Sequence, residues 1–148
     1  MRDDEETAAT GAARWEHFPH GADIGVRGIA PTLEGAFEQA ALALSAIVLD
    51  PESLEAEELV EIACEAPDKE LLLVDWLNAL VYEMATRQLI FGRFQVQITE
   101  TAMDAKAWGQ PMDADKQELT VEPKGATYTA LSVRPTPDGW LAECVVDV

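Results

Sequence analysis

Two stretches of the chain repeat apolar residues at steps of three and four, the spacing of one face of an α-helix. The first occupies residues 31–51, with Thr32 placed as an N-cap and Pro51 beyond the expected end. The second occupies residues 67–88 and begins with Asp68 as its cap. Its buried stripe is predicted to consist of Leu73, Trp76, Leu77, Leu80, Val81 and Met84. The pattern therefore predicts two amphipathic helices.

Other segments alternate apolar with polar or small residues, which is typical of half-buried strands. Residues 22–30 show this pattern before the first helix, and residues 57–66 show it between the two helices. Further strand-like runs, separated by Gly, Pro and Asp turn signals, follow at residues 93–101, 104–109, 116–125, 127–135 and 139–148. The tetrapeptide TPDG, residues 136–139, predicts a tight turn between the last two runs.

The order strand, helix, strand, helix and then a run of strands is typical of an α+β domain. We expect a single domain, because 148 residues suffice for one core and are few for two. Its two amphipathic helices are predicted to pack on one face of a mostly antiparallel sheet. Residues 1–13 are small, polar and charged, and are expected to form a disordered acidic tail. The folded domain is then residues 14–148.

The charge of the chain restricts its partners. Twenty-eight acidic residues against ten basic ones give a net charge of −18, so we expect no direct binding of nucleic acid. The N-terminus lacks the apolar core of a signal peptide, and no run is long enough to span a membrane. Cys64 and Cys144 fit no disulfide or metal spacing and are expected to be free thiols. These features predict a cytoplasmic protein without membrane contact.

Familiar catalytic motifs are absent from the sequence. It contains no phosphate-binding glycine loop, no dinucleotide fingerprint, no G-x-S-x-G elbow and no H-E-x-x-H zinc motif. His17 and His20 are the only histidines, and neither cysteine has the electropositive surroundings that favour a thiolate. Acyl or hydride transfer by this chain therefore has little support.

Carboxylate oxygens are the remaining candidates for chemistry. Asp23 stands between Gly21 and Gly25, whose small size lets a ligand approach closely. Asp147 and the terminal carboxylate of Val148 lie at the other end of the chain. If the last strand lies beside the first, three carboxylates would meet, and a cation would have to compensate them. Such hard oxygen donors select Ca²⁺, Mg²⁺ or Mn²⁺ over zinc.

Each of these residues also has a purely structural interpretation. Asp23 alone suits a turn or cap, and Asp147 alone suits a solvated terminal acid. His17 and His20 could form a zinc pair with Asp23, although the spacing is loose; otherwise His20 supports the loop through a hydrogen bond. Trp108 could be an exposed partner contact or a core residue.

Five short stretches together resemble the archease family. They are HGADIG, LLLVDWLNAL, KAWG, KGATY and the terminal DV, and the resemblance extends from Trp15 to Val148. It implies a small acidic α+β protein that is not itself a ligase. Archeases act as cofactors of the RtcB-type RNA ligase in tRNA splicing and RNA repair. They promote guanylylation of the ligase's active-site histidine and allow multiple turnover.

The resemblance also implies roles for individual residues. The family's metal site, described with calcium, corresponds to Asp23, Asp147 and the terminal carboxylate of Val148. The family's lysine corresponds to Lys124, which would balance the acidic site or reach a phosphate of the ligase-bound nucleotide; otherwise it is an ordinary solvated lysine of a strand. Lys124 and His20 are the predicted contacts with the partner or its nucleotide. The chain departs from the family at four positions, Gln110, Gln117, Gly125 and Thr129. These departures leave partner or nucleotide preference open.

The sequence thus predicts a non-catalytic activator of an RtcB-type RNA ligase that uses a divalent cation, Ca²⁺ before Mg²⁺ or Mn²⁺. Two alternatives stay open at this stage. One is a metal-dependent phosphohydrolase built on the same carboxylates, which would lack an evident general base. The other is a chaperone or binding module that uses no metal.

Overall fold

The computed structural model describes residues 12–112 and 121–148. Most of the predicted acidic tail and the departure at Gln117 lie outside these residues. Within them the chain forms two α-helices, α1 (Leu33–Val48) and α2 (Lys69–Arg87), and a short 3-10 helix (Pro51–Ser53). The strands are β1 (Arg14–His20), β2 (Asp23–Ala30), β3 (Glu58–Glu65), β4 (Leu89–Thr99), β5 (Ala102–Pro111), β6 (Gly125–Ala126), β7 (Ser132–Thr136) and β8 (Gly139–Asp147).

Both predicted helices form, with the predicted N-caps. The hydroxyl of Thr32 accepts a hydrogen bond from the Gly35 N–H at 3.0 Å, and Asp68 Oδ1 accepts one from the Leu71 N–H at 2.8 Å. Each bond satisfies a donor that the first helical turn leaves free. Neither helix in this part of the chain is long and apolar enough to cross a membrane.

The α+β class and the antiparallel pairing are confirmed, and the strands divide between two sheets. The first sheet has the order β1-β2-β8-β6, with β7 also paired to β8. The second has the order β3-β5-β4. Helix α1 packs against β2 of the first sheet and β4 of the second, so both sheets share one core.

Three segments differ from the sequence prediction. Strand β1 was not predicted, because Pro19 interrupts it and most of its side chains are exposed. Of the predicted strand at 116–125, only its last residue belongs to a strand among the described residues. The predicted strand at 127–135 begins later, because a turn with Ala130 in a left-handed conformation precedes β7.

The core is built around Trp76 on α2. Its side chain is fully buried, its Nε1 donates to the carbonyl of Phe37 at 3.1 Å, and its ring meets Phe94 edge to face. The predicted stripe of α2 is buried as expected, except that Val81 is only partly covered. Cys144 is a free thiol in this core, and burial raises its pKa to about 12.

Gly28 sets how closely α1 approaches the first sheet. A Cβ at this position would overlap the carbonyl oxygen of Ala36 and the backbone nitrogen of Ala40. Both atoms belong to helix backbone, which cannot move aside as a flexible side chain can. The glycine therefore lets β2 and α1 pack so closely that their backbones are in contact.

Glu38 covers the outer edge of the second sheet. Its Oε2 accepts a hydrogen bond from the Val96 N–H of β4 at 2.9 Å. Desolvation by burial is the main cause that raises the pKa of Glu38, opposed by the Val96 hydrogen bond. One outward N–H of the β4 edge is thus satisfied by a side chain of α1.

We expect Gly28→Ala to lower the free energy of unfolding by about 3 kcal/mol, because α1 must shift to admit the methyl group. The matched control is Gly21→Ala. No atom lies within 4 Å of the added Cβ there, and only the positive φ of 60° opposes it, at a cost of about 1 to 2 kcal/mol. Urea unfolding of both variants measures the difference. Equal losses in the two variants would contradict the close packing of α1 on β2.

We expect Glu38→Gln to change how stability depends on pH. Because the folded state raises the pKa of Glu38, this carboxyl favours the folded state most when protonated, and the benefit is lost as pH rises through its folded-state pKa. Glutamine keeps the acceptor for Val96 and does not ionise. The variant should therefore gain stability relative to wild type as pH rises above about 4.3, the ordinary pKa of a glutamate carboxyl. Urea midpoints below and above this pH provide the measurement, and a constant difference would be inconsistent with a raised pKa.

Candidate functional site

A two-residue hairpin presents Asp23 at one end of the first sheet. Strands β1 and β2 pair antiparallel with His20 opposite Asp23, so Gly21 and Ala22 form the turn. Gly21 has φ of 60°, which a glycine at the first central position of a two-residue hairpin supplies without strain. Asp23 is half-buried, whereas His20 is exposed.

The last strand brings the end of the chain to the same place. Strand β8 pairs antiparallel with β2, with Ile24 opposite Val146. The Val148 N–H donates to Asp23 Oδ1 at 3.4 Å. The carboxylate of Asp23 therefore lies directly beside the residue that follows Asp147. The convergence on which the sequence analysis depended is present.

Asp23 and Asp147 share one face of the sheet. Residues at alternate positions of the two strands, such as Val26, Cys144 and Val146, are fully buried towards the core. Successive side chains of a strand point to opposite faces, so Asp23 and Asp147 face away from that core. We refer to Asp23, Asp147 and Val148 as the tip.

A short strand holds Lys124 next to the tip. The Lys124 N–H donates to the carbonyl of Asp147 at 2.8 Å, and Gly125 pairs with Asp147 in β6. Asn78 of α2 fixes this strand, because its Oδ1 accepts from the Ala126 N–H at 2.8 Å. This hydrogen bond joins residues 48 positions apart and ties α2 to the strand beside the tip.

The two histidines do not form a pair. They are three residues apart in β1, so their side chains point to opposite faces of the sheet. His17 Nε2 donates to the carbonyl of Ala43 in α1 at 2.7 Å, whereas His20 lies opposite Asp23. The zinc site of His17, His20 and Asp23 that the sequence left open is therefore wrong. His17 ties β1 to α1.

Arg27, two positions beyond Gly25 on the same face, is held by two glutamates. Its Nε donates to Glu143 Oε1 at 2.6 Å and its Nη1 to Glu16 Oε1 at 3.0 Å. The hydrogen bond from Arg27 is the main cause that lowers the pKa of Glu16. The guanidinium also lies 4.6 Å from the centre of the Phe18 ring, which stacks over Gly25. Arg27 is therefore occupied, and the ring separates it from Asp23.

The tip carboxylates lie outside the ion pairs that the described residues form. Within residues 12–112 and 121–148, no ion pair involves Asp23 or Asp147. The same residues contain no group of three His, Cys, Asp or Glu side chains close enough to hold a metal. A metal held here would therefore need a third oxygen donor from the main chain, and the carboxylate of Val148 is the predicted one. Unpaired hard oxygen donors suit Ca²⁺, Mg²⁺ or Mn²⁺.

Three of the four departures from the family pattern lie among the described residues, and one of them, Gly125, pairs with Asp147 of the tip. Gln110 Oε1 accepts from the Glu55 N–H at 2.7 Å, so it fastens the loop before β3. Thr129 lies beside β8, where its carbonyl accepts from the Val145 N–H at 3.0 Å, two residues before Asp147. Thr129 therefore lies closer to the tip than Gln110 does, and Gly125 lies directly beside it.

Comparison with known proteins identifies the family. The model of the archease protein family matches residues 15–148. The archease of Pyrococcus abyssi is 38% identical over 140 residues, covering 91% of this chain and 99% of that protein. The archease of Thermococcus gammatolerans is 40% identical over 140 residues, with the same coverage.

Solved structures agree with this result. The solution structure of protein 1598 of Methanobacterium thermoautotrophicum superposes with a TM-score of 0.80 at 28% identity, covering 90% of this chain and 98% of that one. The crystal structure of a Thermotoga maritima archease, described as a possible chaperone, has a TM-score of 0.55 at 17% identity, covering 90% and 96%. The second likeness shows the fold alone. The chain belongs to the archease family.

Proposed function

We propose that this protein is a non-catalytic activator of an RtcB-type RNA ligase and that it acts through a divalent cation at the tip. The observation that supports the proposal best is the convergence of Asp23 with the end of β8, joined by the Val148 N–H to Asp23 Oδ1 bond at 3.4 Å. This arrangement joins the three oxygen-donor residues that the family resemblance assigns to the metal.

The residues of the tip fit a calcium-type ion by their chemistry. Asp23, Asp147 and the carboxylate of Val148 would hold it, and all three supply hard oxygen donors. A bound divalent ion would neutralise these carboxylates and offer positive charge to phosphate oxygens of the nucleotide on the ligase. Lys124, held beside Asp147, would add a further positive charge for a phosphate. His20, exposed opposite Asp23, would contact the partner.

The charge of the protein favours this kind of partner. An RNA ligase presents a basic surface for its substrate, and a net charge of −18 attracts such a surface. Opposite fields raise the rate of encounter, and the exposed tip residues can then enter the nucleotide site of the ligase. The protein thereby promotes guanylylation of the ligase without forming a bond to the nucleotide itself.

We expect Asp23→Ala and Asp147→Ala each to reduce stimulation of ligase guanylylation to the level of the ligase alone. The readout is transfer of radiolabel from GTP to the ligase histidine in the presence of Ca²⁺, Mg²⁺ or Mn²⁺. Asp138→Ala is the matched control, because Asp138 is an exposed acid in the turn between β7 and β8. It should stimulate as wild type does. Full stimulation by either tip variant, with unchanged thermal unfolding, would contradict the proposal.

We expect calorimetry to detect one divalent-cation site in the wild-type protein and none in Asp23→Ala. Removing Asp23 takes away a side-chain donor and leaves too few oxygen ligands for a calcium-type ion. Asp138→Ala should bind as wild type does. No cation binding by the wild type would favour the metal-free binding module. Phosphoester hydrolysis that is lost in Asp23→Ala would favour the phosphohydrolase.

A further inference from the structure

Strand β3 leaves one edge of the second sheet open. It pairs only with β5 in the part of the chain that the structure describes. The Ala66 N–H donates to the carbonyl of Thr101 on the β5 side at 3.2 Å. Because donors of an antiparallel strand alternate in direction, the N–H groups that point away from β5 belong to Leu59, Glu61, Ala63 and Glu65.

Two other edge strands, β4 and β1, have protection that β3 lacks. The outer N–H of Val96 in β4 is bonded to Glu38 of α1. Edge strand β1 contains Pro19, which has no N–H to donate. In β3, no hydrogen bond in the described part of the chain reaches the four outward N–H groups, and their residues are exposed. Such an edge is a template for an added strand.

The outward face beside this edge begins with an apolar and aromatic row. Leu59, with 48% of its surface exposed, lies opposite Trp108 of β5, which lies opposite Arg93 of β4. The Arg93 guanidinium is 4.8 Å from the centre of the Trp108 ring. Trp108 is therefore a half-exposed strand residue on the solvent face, which resolves the alternative left by the sequence. Tryptophan and arginine are among the residues that most often carry the binding energy of protein interfaces.

The next rows of this face are polar and shallowly concave, with Glu61 opposite Lys106 and two acidic residues to one basic residue. A depression of about 230 Å³ is lined on this face by Glu61, Ala63, Gln95, Gln97, Asp104 and Lys106. Ala63 lies opposite Asp104, so a small residue stands between the open edge and that carboxylate. Strands in a sheet lie about 4.8 Å apart. A long basic side chain on an added strand could therefore cross Ala63 and reach Asp104.

We propose that the β3 edge binds an extended, basic segment of a partner protein as an additional antiparallel strand. The backbone carbonyls of the added strand would accept hydrogen bonds from the outward N–H groups of β3, and its N–H groups would donate to the outward carbonyls of β3. Its alternate lysine or arginine side chains would meet Glu61, Glu65 and, across Ala63, Asp104. An apolar residue would lie beside Leu59 and Trp108. This surface belongs to the second sheet and is separate from the function proposed for the tip.

The same charges argue against a second copy of this chain as the occupant. Antiparallel pairing of β3 with itself would place glutamates of one copy near glutamates of the other, in molecules that each have a net charge of −18. Like charges on adjacent strands are destabilising. A basic strand would instead bring opposite charges next to the glutamates of β3.

The test uses a synthetic peptide of alternating arginine and valine, acetylated and amidated, added to the full-length protein. We expect amide hydrogen exchange at Leu59, Glu61, Ala63 and Glu65 to slow at least tenfold at saturating peptide. The amides of Val60 and Ile62, already directed at β5, should change little. The control peptide has proline in place of valine, keeps the charge and cannot form the strand ladder; it should give no protection.

Charge variants test the side-chain half of the proposal. Glu61→Lys and Asp104→Lys should each weaken binding of the arginine–valine peptide at least tenfold. Asp138→Lys makes the same change in net charge at the β7–β8 turn and should alter binding less than twofold. The proposal is overturned if the proline peptide protects the same amides. It is also overturned if Asp138→Lys weakens binding as much as the β3-face variants, which would indicate non-specific attraction.

Discussion

The pairing of β2 with β8 is the interaction on which the candidate site depends. It joins residues more than a hundred positions apart and places the carboxylate of Asp23 beside Val148. Its core face is apolar and fully buried, through Val26, Cys144 and Val146. Burial of that face favours one register, since a slip by one residue would turn the apolar side chains outward. The packing energy of the core thus holds two acidic groups together that would otherwise repel each other.

The helices could be predicted from the sequence because their signals are local. The apolar repeat and the caps at Thr32 and Asp68 lie within a few residues of the elements they define. The division into two sheets could not be predicted, because it depends on α1 packing against strands of both sheets. Gly28 is an example. From the sequence alone a glycine at this position only weakens a strand, whereas in the structure it lets the backbone of α1 approach β2 closely.

The site was predictable in its residue types and less so in its geometry. Glycines around Asp23 and an acid before the terminus suggested oxygen ligands, and the family resemblance assigned them to a metal. Because β1 was not predicted as a strand, a zinc pair of His17 and His20 stayed possible. In a strand, side chains three positions apart point to opposite faces, which excludes that pair. Asn78 could not be assigned, because the backbone donor it accepts from lies on a distant segment.

The distribution of positive charge supports the proposal that the tip binds a cation. Arg27 is the arginine nearest to Asp23 along β2, yet Glu16 and Glu143 occupy its donors at 3.0 and 2.6 Å. The Phe18 ring fills the space over Gly25, between that guanidinium and the tip. Arg134 approaches Glu143 as well, at 3.7 Å, which leaves the acids of the tip outside the network. The ion pairs of Arg27 and Arg134 therefore do not reach the tip, where the divalent ion we propose would compensate the carboxylates.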